Sequence, residues 1–101
     1  MEKDILNKVM GLIVKSLREG LGMSRYALAK EAGVDNAWLR RFERGESGIR
    51  VTTLIALASG LKIPAGTIAA AIEKALENPE KWLRDYEKTD LEPVPVMAER
   101  P

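Results

Sequence analysis

Between Asn36 and Arg44 the chain carries one asparagine and three arginines, Arg40, Arg41 and Arg44, at the spacing of one helical face. At about 100° per residue from Asn36, the residues Arg40, Arg44, Ala37 and Arg41 fall at about 40°, 80°, 100° and 140°. Trp38, Phe42 and Leu39 fall at about 200°, 240° and 300°, an apolar face opposite the basic one. Glu43, the segment's acid, falls at about 340°, at the rim facing the core. A guanidinium fork matches guanine O6/N7 or phosphate oxygens, and a carboxamide matches adenine N6/N7. The chemistry on offer is recognition of a nucleic acid through base edges and phosphates. Catalysis has little to work with, because the sequence contains no histidine and no cysteine. That excludes thiolate nucleophiles, imidazole triads, disulfides and Cys/His metal sites. Carboxylate-only chemistry would need a pocket that a small domain seldom builds, so the chain reads as a non-enzyme, without cofactor or metal.

Such a face needs a rigid mount, and the surrounding pattern supplies short helices with no strand signal. Ile5, Leu6, Val9, Met10, Leu12, Ile13 and Leu17 recur at three- and four-residue spacing, a first helix ended by Gly20 and Gly22. Ser24 is a good N-cap for a second helix through Ala32, closed by Gly33. Asp35 caps the third, the arginine-bearing helix, which runs to Arg44 before Gly45. Only Gly33-Val34-Asp35 separates the second and third helices, the short glycine-containing turn of a helix-turn-helix. A fourth helix is predicted from Thr52 or Thr53 to Gly60, and a fifth from Pro64 to about Leu76. Asn78-Pro79 opens a short further helix with Trp82, Leu83 and Tyr86 on one face. Pro93, Pro95 and Pro101 make the end extended or disordered.

The 101 residues bound one domain with one modest core, 46% hydrophobic and 31% charged. The formal charge of +1 conceals a division along the chain. Residues 1–75 hold 12 basic against 8 acidic side chains, while residues 76–101 hold 4 against 7. A basic body with an acidic tail suits an anionic partner for the body. The expected division is a DNA-binding domain over 1–76 and an acidic appendage over 77–101. No stretch reads as a signal peptide or a membrane span, so a cytoplasmic location is expected.

The stretch from Met23 to Gly45, with Thr53-Leu-Ile-Ala-Leu-Ala58 and Leu61-Lys-Ile63, resembles the lambda-repressor-like (phage repressor/Cro, XRE-type) helix-turn-helix regulators of bacteria and phages. The resemblance runs from about Ile5 to Ile72. It implies an all-α, five-helix fold, here followed by a short C-terminal helix and tail, with the third helix as recognition helix. It also implies a structural salt bridge between Arg18 and Glu43. Relatives usually begin the second helix with Gln, which braces a recognition side chain or a phosphate; this chain has Arg25 there. Ala37 stands where many relatives carry a longer polar residue, which implies looser reading of one base.

Within that frame Asn36, Ala37, Arg40 and Arg41 are the expected base readers. Ser24, Arg25, Tyr26, Arg44 and Arg50 are the expected phosphate contacts, with Lys30 a further candidate. Arg50 has a minor-groove or a plain solvent role as alternatives. Trp38, a stacking residue in one reading, is expected to pack on the second helix. Ile68 and Ile72 are a candidate dimer surface, or a cap on their own core. Trp82, Leu83 and Tyr86 have three open destinations: the same chain, a dimer mate or another protein. The expected function is a repressor that binds double-stranded DNA at a palindromic operator as a homodimer. The rival is an antitoxin or adaptor whose acidic C-terminal segment holds a protein partner, a toxin or regulator.

Overall fold

The computed structural model describes residues 2–84, and Tyr86 and the proline-rich end lie outside them. Among the described residues every regular element is a helix: α1 (Lys3–Gly20), α2 (Arg25–Ala32), α3 (Asn36–Glu43), α4 (Val51–Leu61), α5 (Ala65–Ala75) and α6 (79–84). Local chemistry sets the boundaries around the central pair. The Ser24 hydroxyl accepts from the Ala27 amide at 3.0 Å, and the Asp35 carboxylate accepts from the Trp38 amide at 3.2 Å. Each satisfies one of the free donors that a helix start leaves exposed. Gly33 closes α2 in the left-handed region at φ 72°, where the Val34 amide reaches back to the Ala29 carbonyl at 2.9 Å. A side chain at that φ is strained, so glycine there is a condition of the sharp turn into α3.

One core joins the helices, built from Val9, Ile13 and Val14 of α1, Leu28 of α2, Leu39 and Phe42 of α3, and Leu57 and Leu61 of α4. Two helical glycines let backbones meet. A Cβ on Gly11 would strike the Phe42 carbonyl oxygen and come within 2.9 Å of that of Glu43, so α1 lies directly on the end of α3. A Cβ on Gly60 would come within 3.0 Å of the Leu28 side chain and 3.3 Å of the Ala32 amide.

This contact corrects the expected bounds of α4. Gly60 is not the stop but a buried interior residue against α2. The helix runs on to Leu61 and closes at Lys62 in the left-handed region, φ 61°. It also starts earlier, at Val51, because Arg50 already has the extended backbone of a cap and neither threonine is needed there. A lysine at positive φ carries Cβ strain that glycine lacks. Lys62→Gly is therefore expected to raise stability by about 0.5–1 kcal/mol, read from a thermal melt. A fall in the midpoint would show that the Lys62 side chain has a role that its backbone strain does not reveal.

The proposed dimer surface at Ile68 and Ile72 is also corrected. Ile68 is fully buried and Ile72 only 9% exposed, both in the core of their own chain. The apolar side of α5 is turned onto α1 and α4, leaving Thr67, Ala70, Glu73 and Lys74 outside. Of the three destinations open to the C-terminal aromatics, Trp82 takes the first: it is half-buried against its own core. There it borders an open apolar cleft of about 270 Å³ with Ile13, Leu17, Ala71 and Ala75. Leu83 is half-buried as well. No single helix among the described residues is long and apolar enough to cross a membrane.

Candidate nucleic-acid interface

Helix α3 divides by burial much as its angles require, with one shift. Arg40, Arg41, Arg44 and Ala37 are exposed, while Leu39 and Phe42 are buried. Glu43, expected at the rim, is 1% exposed and belongs to the interior. The buried sector thus extends past Leu39 to Glu43 and reaches Asn36, which is half-buried. The Asn36 amide oxygen is enclosed and has no hydrogen-bond partner among the described residues. The solvent face of α3 is the three arginines around a small alanine, with Asn36 on its inner edge.

The charge that holds this helix in place is buried. Arg18 Nε donates to Glu43 Oε2 at 2.7 Å, and Arg18 Nη2 donates to Glu43 Oε1 at 2.9 Å, a parallel two-bond pairing. Arg18 Nη1 donates to the Met23 carbonyl at 2.9 Å, just ahead of the Ser24 cap. One guanidinium therefore ties the end of α1 to the start of α2 and the end of α3. Arg25 joins the same carboxylate, its Nε donating to Glu43 Oε1 at 3.2 Å. The sequence alone presents Arg25 as a surface phosphate contact and does not reveal this link. The available signal was Glu43 at an angle between the arginine face and the core, with a cation where a neutral amide is usual.

The remaining candidates surround α3. Ser24 and Tyr26 are exposed at the start of α2, Tyr26 with 66% of its surface open. Arg44 Nε lies 3.2 Å from a Glu46 carboxylate oxygen, in a pair so exposed that a phosphate can replace the acid at little cost. Arg50 is exposed at the start of α4. Trp38 is half-buried and packs against the core. Its ring stacks on Phe42, with centroids 5.2 Å apart and planes at 9°. It borders a shallow cleft with Ile49, Arg50 and Thr53. Among the described residues no group of acids could hold a metal.

Known proteins share this fold. The profile of the HTH_3 helix-turn-helix family matches residues 14–68, just over half of the chain. The HTH-type transcriptional regulator SutR of Escherichia coli (strain K12) is 36% identical over 70 residues, covering 69% of this chain and 39% of its own. The chain thus spans about two-fifths of the length of that curated relative. The restriction-modification controller protein C.AhdI from Aeromonas hydrophila superposes with a TM-score of 0.59 at 26% identity, over 60% of this chain and 92% of its own. An HTH_3 family transcriptional regulator from Vibrio cholerae superposes with a TM-score of 0.63 at 30% identity, over 78% of this chain and 41% of its own. The two helices around Gly33, the pairing that locks them to α1 and these matches lead to one conclusion: the chain belongs to the HTH_3 family of helix-turn-helix proteins.

Proposed function

We propose that the chain is a sequence-specific, double-stranded DNA-binding transcriptional regulator of the bacterial or phage cytoplasm, acting as a repressor on a palindromic operator. The observation that carries this reading is the exposed face of α3, with Arg40, Arg41 and Arg44 around Ala37, on a helix clamped to its neighbours by a buried charge pair. In the major groove Arg41 reads base edges, Arg40 reads or clamps beside it, and Ala37 offers only a methyl contact. Asn36 takes part only by turning its enclosed amide outward. Ser24, Arg25, Tyr26, Arg44 and Arg50 line the flanks for phosphates, the first three at the start of α2, where free amides favour anions. One such domain grips one half-site, so a homodimer supplies two grips about 34 Å apart.

The test is selection of binding sites from a randomised duplex pool at low and moderate salt. A two-fold symmetric motif that persists as salt rises is the expected result. Retention that ignores sequence and collapses with salt would reduce the activity to counterion release and overturn the reading. On the selected site, Arg41→Ala is expected to cost about 1–3 kcal/mol of discrimination against random duplex. Equal losses on both duplexes would assign Arg41 to phosphate.

A further inference from the structure

The Glu43 carboxylate has a second task besides pairing with Arg18. Its Oε1 accepts from both Arg18 Nη2 and Arg25 Nε, at 2.9 and 3.2 Å. The three side chains differ in exposure: Glu43 1%, Arg18 6% and Arg25 32%. The pairing therefore runs from the interior outward and ends at a guanidinium on the surface. Arg18 spends Nε and both terminal nitrogens inside the protein. Arg25 spends only Nε and forms no other bond among the described residues. A guanidinium has five N–H donors in a rigid planar fork, so holding Nε also fixes the plane and direction of the two terminal nitrogens. They belong to the first residue of α2, in the turn whose Ala27 amide Ser24 caps.

We propose that Glu43 is the positioning residue for Arg25, aiming its two free terminal nitrogens at one DNA phosphate at the start of α2. The inference rests on the DNA-binding reading above and adds to it a mechanical link. The carboxylate that orients the phosphate clamp also terminates the base-reading helix, so one buried group sets the register between phosphate and base contacts. Two negative neighbours would ask different things of a lysine here. Arginine can serve Glu43 through Nε and a phosphate through terminal nitrogens held in the same plane, whereas a lysine ammonium is a single point whose three N–H donors have no fixed direction, so a bond to Glu43 does not aim the others. The buried carboxylate is the stronger claimant, because its alternative is an acid with one partner fewer inside the protein.

The decisive comparison is the parent chain, Arg25→Lys and Arg25→Ala on the selected operator, with affinity measured across a salt series and folding checked by thermal melt. Arg25→Ala is expected to lower affinity roughly 10-fold and the salt slope by about 0.9, the loss of one phosphate contact. Arg25→Lys is expected to fall with it despite the retained charge. Lysine behaving like the parent in affinity and slope would show that the clamp needs charge without positioning, and would overturn the inference. Arg25→Ala binding like the parent would overturn it too, since no phosphate is then held. A purely structural link would move the melt of both variants and leave the salt slope unchanged. Arg41→Ala separates the two levels of argument: if it loses discrimination while both Arg25 variants bind normally, only this inference falls. If the parent chain binds no duplex, the DNA reading falls and the inference with it.

Discussion

Replacing Glu43 by glutamine is expected to destabilise the domain by about 3–5 kcal/mol, the cost of leaving a buried ion pair with one partner. Arg18, 6% exposed, would keep the Met23 carbonyl and a distant Glu19 carboxylate at 3.9 Å, but lose the acceptor of two short bonds. The glutamine amide can present one oxygen, while its NH2 group would face another N–H donor. Three elements meet at this carboxylate, so the loss should appear as one cooperative shift of the urea midpoint with an unchanged slope. A small domain commonly has only about 5–15 kcal/mol in hand, so the variant should be partly unfolded well below the parent's transition. Glu46→Gln is the matched control, because its pair with Arg44 is exposed on both sides. A change below about 0.5 kcal/mol is expected there. If Glu43→Gln cost no more than this control, the buried pairing would not be what holds α3 to α1.

Gly11→Ala is the second large effect, and its sign runs against helix propensity. Alanine inside an exposed helix is worth about 1 kcal/mol over glycine. Here the added Cβ would meet the carbonyl oxygens of Phe42 and Glu43, backbone atoms that cannot rotate away. Relief requires α1 to retreat from α3. That would loosen the packing of Val14 and Phe42 and lengthen the Arg18–Glu43 bonds. Overpacking of this kind costs about 1–3 kcal/mol and sometimes more, so we expect a net loss of about 2 kcal/mol. In a domain of this size the melting temperature should fall by about 10 °C. DNA binding should weaken as well, because the base-reading helix is what moves. A neutral or stabilising outcome would mean that α1 and α3 are farther apart in solution than the structure has them.

Both residues show why the candidate site was only partly legible in the sequence. Arg40, Arg41 and Arg44 share a face because of their spacing along one helix, and counting positions finds that. Glu43 lies on the same helix, but its partners Arg18 and Arg25 are 25 and 18 residues away. A family resemblance could suggest the first partner, while the second required seeing α2 start beside α3's end. Gly11 reads in the chain as a weak point in a helix; only the approach of α3 turns it into a requirement. Ile68 and Ile72 show the opposite error. Small residues around them made a seam between subunits plausible, but periodicity says that a face is apolar without saying which neighbour covers it.

What the sequence determined by itself was everything set within a few residues: the order of the helices, the Ser24 and Asp35 caps, the Gly33 turn and the basic face of α3. Capping, turn conformation and side-chain direction depend on covalent geometry and on neighbours three or four positions away, and composition excluded imidazole and thiol chemistry outright. Only the tertiary structure decided that Gly60 lies inside α4, that Trp82 rests on its own core and that Glu43 is buried between two arginines. Each of these depends on which faces meet across the fold, where close packing and the desolvation of charge choose among arrangements that local pattern leaves equivalent.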